Sequence, residues 1–376
     1  MPRVYLDHHA ATPLSAQVKR VMEEALEVAW ANPSSAHREG QRARMMLEQA
    51  RKHVGAALGV TPIDVVFTSG GTEACNLGVL GVAQALDVKQ LDVHTTSTEH
   101  PAVEASLEAL ASEGAVLLRY DLHRTDGRAS CAAGVAASRA RGRVPFVVAQ
   151  AVNHETGTRI DLEALRAEVG DVLGFVDASQ ALGKVDVAWG KLGFAVAIAG
   201  AKIGAPSVGA LYVPRAMQLR ARAIGGGHER GRRAGTPDVV TIVGLGAACA
   251  ELKARLDERP RIASMRDELE ALLVASGGVI NGAEWARVET VVNASFRGWR
   301  GATLVAALDL EGLAVSAGAA CSSGVDAPSP VLRALYPEEP WRATSALRIS
   351  LGPETSEADV AMARDALKRV LSRTPA

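Results

Sequence analysis

The chain has 376 residues, 48% of them apolar and 22% charged, with 41 Lys and Arg against 42 Asp and Glu for a net charge of −1. That length predicts two domains of a well-packed soluble protein, and the charge balance gives no footing for nucleic acid or an anionic membrane. The 4 cysteines, Cys75, Cys131, Cys249 and Cys321, have no C-x-x-C spacing, which argues against a disulfide framework or a structural zinc site and for a reducing cytoplasm.

Taken in chain order, the opening MPRVYLDHH carries no signal-peptide pattern, so a cytoplasmic protein is expected. AQVKRVMEEALEVAW from Ala16 and AHREGQRARMMLEQARKHVGAAL from Ala36 have helical spacing, the second ending near Gly59. DVVFTSG (Asp64 to Gly70) reads as a strand closing on Ser-Gly-Gly and TEACNLGVLGVAQAL as the next helix. A strand over 91–98, the helix VEASLEALASEG and the strand AVLLRYDL follow. The basic cluster RARGR, Arg139 to Arg143, reads as a solvated loop. VPFVVAQAVN (Val144 to Asn153), VLGFVDAS (Val172 to Ser179), FAVAIAG and VGALYVP (Val208 to Pro214) are strands, with the helix LEALRAEVGD between the first two. Such near-continuous apolar strands alternating with helices predict a mainly parallel sheet covered on both faces, with ligands beyond the carboxyl ends of its strands.

VVTIVGLGAACA from Val239 is too short to cross a bilayer. Its GLGAAC is the nearest approach to a GxGxxG pattern, but it lies in a helical run where packing explains the glycines. After about Leu252 the texture changes. One long charged helix, ELKARLDERPRIASMRDELEALLVAS, leads to VETVVNASF, ATLVAALDLEGL, AVSAGAAC, SALRISLG and the amphipathic SEADVAMARDALKRVLSR, a plausible smaller α+β domain.

Several polar groups fall where strands should end. TSGGTE (Thr68 to Glu73) opens a helix and reads equally as an anion site or an ordinary cap. Asp177 in FVDAS faces a site or caps a turn, and His100 in STEHPAV is ambiguous in the same way. Lys202 is the one charged residue in AVAIAGAKIGAPSVGALYV. An ammonium so placed either snorkels to water or is desolvated, with a lowered pKa suited to a Schiff base. A phosphate-sized site at Gly70, Gly71 and Thr72, then Asp177, then Lys202 is the set pyridoxal phosphate needs: phosphate donors, a partner for the pyridinium nitrogen and an amine for the aldehyde. No metal-ligand set is apparent.

These residues resemble those of the cysteine desulfurases, within the class V aminotransferase family of fold-type I pyridoxal-phosphate enzymes. YLDHHAATP (Tyr5 to Pro13), VFTSGGTEACNL, TEHPAV, VDASQALGK, GGGHERGRRAGT (Gly225 to Thr236) and SAGAACSSG (Ser316 to Gly324) carry the likeness almost end to end. It implies an α/β fold, with a large cofactor domain over 15–250 and a small α+β domain over 1–14 and 251–376 that bears the loop with the catalytic cysteine. It implies that Lys202 holds the cofactor and moves the substrate Cα proton, and that His100 stacks on the ring and assists proton transfer. Asp177 would pair with the ring nitrogen, Gln180 contact the phenolic oxygen, and Gly71 and Thr72 bind phosphate. Thr236 would reach the phosphate of a neighbouring subunit, implying a homodimer with RGRR near its interface, and Arg348 would hold the substrate carboxylate. Cys321, between Gly318-Ala319-Ala320 and Ser322-Ser323-Gly324, is in a poor setting for core packing and would take sulfur from L-cysteine as a persulfide, leaving alanine. A sulfur-acceptor protein, of the scaffold or tRNA-thiolation type, and a place in iron–sulfur cluster assembly follow from the same resemblance.

Three departures sit among these residues. Ala199 and Ala201 stand where the family has a serine and a histidine that donate to the phosphate, IGAPSVG replaces the segment after the lysine, and His154 in NHETG replaces an asparagine that touches the phenolic oxygen and the substrate carboxylate. The end at Ala376 also lacks the tail that housekeeping members extend toward a scaffold. The alternatives are another class V enzyme, such as a selenocysteine lyase or an aminotransferase, and a weakly active relative acting through a partner. Cys321 argues against a transaminase, and retention of Lys202, Asp177, His100, Cys321 and Arg348 together argues against the last.

Overall fold

A computed structural model of the chain describes residues 3–318 and 327–373. They form two compact units: the larger spans 13–151 and 160–253, and the smaller holds the described residues of 1–12, 152–159 and 254–376. The stretch 152–159, which the sequence assigns to the large domain, belongs to the smaller unit because its backbone is paired there. Arg159 N–H donates to the Ala286 carbonyl at 2.8 Å, and the Gly157 carbonyl accepts from Val288 N–H at 2.9 Å.

The chain opens on β1 (Val4–Tyr5), part of the smaller unit. The strands of the larger unit are β2 (Val65–Thr68), β3 (Leu91–Thr95), β4 (Val116–Arg119), β5 (Val144–Gln150), β6 (Leu173–Asp177), β7 (Ala195–Ala199) and β8 (Gly209–Tyr212). Around them lie α1 (Ala16–Val28), α2 (Arg38–Leu58), α3 (Gly71–Ala83), α4 (Pro101–Ser112), α5 (Thr125–Ala140), α6 (Leu162–Val169) and α7 (Val239–Ala250). The seven strands form one sheet in the order β2-β8-β7-β6-β5-β3-β4. Only β8 runs against the rest, pairing antiparallel with both β2 and β7. The carboxyl ends of the other six therefore emerge along one edge, the edge where α/β sheets bind ligands.

Burial on both faces accounts for the apolar runs. Phe146, Val148, Phe175, Ala195, Ala197 and Leu211 of the sheet pack with Leu77, Val79, Val103, Leu107 and Leu110 of α3 and α4 in one core. The stripe Ala43, Leu47, Ala50, Val54 and Leu58 buries one face of α2. That helix stops at Gly59, which takes a left-handed φ of 63° and donates its N–H to the Ala56 carbonyl, a conformation that glycine adopts without a Cβ clash.

One sequence expectation is corrected here and one element is added. The segment 125–140 is a helix that periodicity does not reveal, because GRASCAAGVAASRA has alanine's propensity but little apolar contrast. RARGR beyond it is not merely a solvated loop. Arg141 Nη2 lies 3.0 Å from Asp92 Oδ2, and Arg143 pairs with Oδ1, so the two arginines neutralise a carboxylate that is 1% exposed.

In the smaller unit the expected single charged helix is two, α8 (Leu252–Asp257) and α9 (Arg259–Ala275), which take up the chain from the larger unit's end. Pro260 lies in the first turn of α9, where its missing N–H costs no helical hydrogen bond; within a continuous helix it would cost one. Then come β9 (Gly278–Ile280), β10 (Val291–Phe296), α10 (Gly301–Leu310), β11 (Leu313–Ala314), α11 (Pro330–Leu335), β12 (Ala346–Ser350) and α12 (Glu357–Leu371). An antiparallel sheet of order β12-β10-β9 and the parallel pair β1-β11 carry the core. Leu269, Leu273, Leu304, Leu308, Val360 and Leu367 from α9, α10 and α12 fill it.

A polar chain crosses the larger unit. The His94 ring lies 3.3 Å from Tyr120 Oη at Nδ1 and 3.1 Å from Ser138 Oγ at Nε2, and Ser138 Oγ donates to Asp92 Oδ2 at 2.7 Å. Burial lowers His94 from 6.5 to about 4, against the opposing pull of Asp92. The imidazole is thus neutral in the fold, while the unfolded chain takes up a proton near pH 6.5. Stability is expected to fall as pH drops from 6.5 towards 4, by about 3 kcal/mol in all, and to flatten below that. Urea unfolding at pH 7 and pH 4.5 should show that loss in the parent protein and most of it gone in His94→Leu.

Candidate active site

The parallel register of β6 and β7 sets the site, with Phe175 opposite Ala195, Val176 opposite Val196 and Asp177 opposite Ala197. Asp177 ends β6. Lys202 closes the 3₁₀ turn Gly200–Lys202 that follows β7 directly. Two neighbouring strands thereby deliver the carboxylate and the amine to the same edge of the sheet. Asp177 is buried, and its Oδ1 accepts the Ser179 N–H at 2.9 Å, turning the chain toward Gln180. Lys202 is half-buried.

His100 joins them from beyond β3. It caps α4, its Nδ1 accepting the Ala102 N–H at 3.1 Å. With Nδ1 acting as acceptor, a neutral ring carries its proton on Nε2. Burial pushes this imidazole below its ordinary value; Asp177 opposes that shift and Lys202 adds to it, so the three groups form one electrostatic cluster.

The fourth strand end leads into an uncapped helix start. Gly70 holds the cap position of α3 and no side chain caps it, which leaves first-turn N–H groups for a ligand. A Cβ on Gly71 would lie 2.7 Å from Ala199 Cβ and 3.5 Å from Ser179 Oγ, so glycine is what lets the helix come up against the ends of β6 and β7. Thr72 lies in this first turn. Glu73 stands beside it. Burial alone would raise that carboxyl, but hydrogen bonds from Arg233 and Ser69 outweigh burial and hold it below the usual carboxylate range. Arg233 Nε lies 2.8 Å from Glu73 Oε1, which neutralises an anion that would otherwise repel phosphate.

These groups fit pyridoxal phosphate: an uncapped helix start brought against the ends of β6 and β7 through Gly71, a buried carboxylate and an amine on adjacent strand ends. Gln180 is buried at the same edge, its Oε1 accepting from Lys184 Nζ at 2.6 Å. Thr236 is exposed and lines a cavity of about 150 Å³ with Ser69, Arg233 and Asp238.

Sequence reasoning missed four residues here. Glu99, beside His100, is fully enclosed; its Oε1 accepts the Gln150 N–H at 3.1 Å. Burial first, and the neighbouring Asp177 second, push it well above the usual carboxylate range. Lys184 is buried behind Gln180. Arg51 and Glu229 form a bidentate ion pair, at 2.8 Å for each contact, with both side chains almost wholly buried. Arg51 carried a readable signal, since it interrupts the apolar stripe of α2 between Leu47 and Val54. The pair ties the GGGHERGRRAGT segment to β2, because Glu229 Oε2 also accepts the Phe67 N–H at 2.9 Å and Arg51 Nη1 donates to the Val65 carbonyl at 2.9 Å. It also holds Glu229 and Arg230 at φ of 47° and 60°, a left-handed conformation that costs about 1–3 kcal/mol per non-glycine residue.

The smaller unit collects a second set. Arg348 on β12 is 2% exposed; its Nη1 donates to the His154 carbonyl at 2.9 Å and its Nη2 to Asp7 Oδ1 at 2.7 Å. A guanidinium has five N–H donors, so these two bonds leave others for a substrate carboxylate. His154 is buried, its Nε2 3.7 Å from Glu155 Oε1. Burial raises the Glu155 carboxyl against hydrogen bonding from Ser329, whose Oγ donates to Oε2 at 2.6 Å. Cys321 lies outside the described residues. The described residues flanking it are tied down: Ser316 exchanges backbone hydrogen bonds with Arg348, and Ser329 is held by Glu155. The other three cysteines are buried, and burial pushes the Cys75 thiol well up and Cys131 up to about 12, so neither of those two forms a thiolate near neutral pH.

The family model for aminotransferase class-V matches residues 4–362. A cysteine desulfurase of Frankia sp. (strain EuIK1) is 36% identical over 387 residues, covering 98% of this chain and 91% of the relative. Among solved structures, a NifS-like protein superposes with a TM-score of 0.87 at 28% identity, covering 98% of this chain and 99% of the other. A structure described as SspA in complex with cysteine matches with a TM-score of 0.75 at 27% identity over 94% of this chain and 100% of its own.

Removing Glu229 takes from Arg51 its buried bidentate partner and leaves it only the more exposed Glu48, 3.2 Å from Nε. Glu229→Gln is expected to cost about 3–5 kcal/mol, read as a lowered urea midpoint, whereas Arg51→Met combined with Glu229→Leu should cost far less.

Proposed function

The chain belongs to the aminotransferase class-V family, and on that footing we propose that it is a pyridoxal-phosphate-dependent L-cysteine desulfurase. The observation that carries the reading is the delivery of Asp177 and Lys202 by adjacent parallel strands, with His100 in the same electrostatic cluster. Pyridoxal phosphate, when bound, supplies an electron sink conjugated to the α-carbon of a substrate amino acid.

The residues divide the work by chemistry. Gly71 and Thr72 at the start of α3 would take the phosphate, and Asp177 would hold the ring nitrogen in its protonated form. Lys202 would secure the aldehyde and then, as a free amine, accept and return the substrate Cα proton at Nζ. His100 would cover the ring and exchange a proton at Nε2, because Nδ1 is committed to Ala102. Gln180 would donate to the phenolic oxygen. Arg348, oriented by Asp7 and the His154 carbonyl, would take the substrate carboxylate, with His154 beside it in the asparagine's place. The Cys321 thiolate would attack the substrate sulfur. The C–S bond breaks with its electron pair going to carbon, which takes up a proton to become alanine's methyl group, and the sulfur stays on Cys321 as a persulfide. The high pKa values of Cys75 and Cys131 support that assignment.

The same reading includes a homodimer in which Thr236 serves the neighbouring subunit's phosphate. It also includes work in the cytoplasm and delivery of sulfur to an acceptor protein of the scaffold or tRNA-thiolation type, as in iron–sulfur cluster assembly. Among the described residues, no helix is long and apolar enough to cross a membrane.

Incubation with L-cysteine should yield alanine and a protein mass increased by one sulfur at Cys321. Cys321→Ala should abolish sulfide release while the yellow colour of the bound cofactor remains, and Lys202→Ala should remove the colour. A Cys321→Ala protein that still releases sulfide at the parent rate would refute the mechanism. A second expectation concerns the missing phosphate donors. Ala199→Ser with Ala201→His should slow cofactor dissociation about tenfold or more, measured as loss of visible absorbance on dilution.

A further inference from the structure

Lys184 is a buried cation of the larger unit for which the reaction as described has no use. It is 8% exposed, and it sits one helical turn beyond Gln180, itself 5% exposed. The turn is built by Leu182 N–H to the Ala178 carbonyl at 3.0 Å and Val185 N–H to the Ala181 carbonyl at 3.0 Å. This i, i+4 spacing brings Lys184 Nζ to 2.6 Å from Gln180 Oε1.

The chemistry of that contact fixes an orientation. A carboxamide has one end that accepts and one that donates, and rotating it by half a turn exchanges them. An ammonium has three donors and no acceptor. The atom that faces Lys184 must therefore be the carbonyl oxygen, and the amide nitrogen of Gln180 is turned away from it as a donor. The contact is buried, so water cannot substitute for it cheaply: a reversed amide would put N–H groups against a desolvated cation.

We propose that Lys184 is a positioning residue for the cofactor, locking the Gln180 carboxamide so that its N–H₂ end, and never its oxygen, meets the phenolic oxygen. The inference rests on the reading that Gln180 contacts that oxygen. It goes beyond it by naming the group that decides which end of the amide is presented. Lys184 touches neither cofactor nor substrate in this scheme; its effect on the cofactor passes through Gln180.

The test is equilibrium binding of pyridoxal phosphate to cofactor-free protein, followed by visible absorbance, in a double-mutant cycle. Lys184→Met should weaken binding about tenfold, the scale of one hydrogen bond to a charged oxygen. Gln180→Ala should weaken it as much or more. Adding Lys184→Met to Gln180→Ala should then change the affinity less than about twofold, and Lys184→Arg, which keeps the donors, should stay within about threefold of the parent. Urea unfolding of each cofactor-free variant reports folding, and Lys184→Leu replaces the methionine variant if that one does not fold. If Lys184→Met has no effect, or has the same effect with and without Gln180, the lysine does not act through the amide and the proposal is wrong. If Gln180→Ala binds the cofactor as the parent does, the contact of Gln180 with the phenolic oxygen falls first, and the role of Lys184 falls with it.

Discussion

Everything at this site depends on one hydrogen-bonded register, the parallel pairing of Leu173–Asp177 with Ala195–Ala199. A parallel ladder places the carboxyl ends of two strands side by side. A carboxylate that ends one strand and an amine in the turn after the other must then share an edge. The start of α3 is added to the same edge by a close packing that depends on glycine, with Gly71 pressed toward Ala199 and Ser179. A slip of one residue between these strands would send Asp177 to the opposite face of the sheet and leave the lysine without its counterpart.

Burial then sorts the ionisable groups into charged and neutral. Glu99 and Asp177 are both enclosed, and burial first, then the neighbouring Asp177, raises the Glu99 carboxyl. His100 is depressed chiefly by burial. The thiols of Cys75 and Cys131 are held protonated by burial as well. Charges that stay buried are matched: Asp92 by Arg141 and Arg143, Glu229 by Arg51. The second of these pairs also offsets the strain of two left-handed residues in the segment that carries Thr236.

In the smaller unit the opening motif, the NHETG turn and β12 meet at Arg348. Asp7 and the His154 carbonyl orient its guanidinium, so the histidine that replaces the family's asparagine serves through its backbone whatever its ring does. The two alanines beside Lys202 have a structural setting of their own. Ala199 Cβ packs where Gly71 leaves room, and Ser179 Oγ lies near the same spot. A hydroxyl at the end of β6 therefore stands close to the position from which the family's serine is missing.

By itself the sequence determined the alternation of strands and helices and the stop of α2 at Gly59, and it singled out Asp177, Lys202, His100 and the Gly71–Thr72 helix start as candidates. Each of these is local: apolar periodicity, a left-handed glycine, or a charge where its neighbours leave it unsolvated. The break at Pro260 was also written in the residues and was overlooked because the flanking charges keep helical spacing. What only the tertiary structure decided was which distant side chains share a buried volume. Arg51 and Glu229 are 178 residues apart, and nothing in either neighbourhood announces the other. The excursion of 152–159 into the smaller unit depends on hydrogen bonds to residues 286–288. The raised carboxyl of Glu99 and the orientation of Gln180 arise in the same way. Local sequence reports the propensity of a segment and the cost of burying a charge, but the partner that offsets the cost is chosen by packing, which brings together groups that the chain keeps far apart.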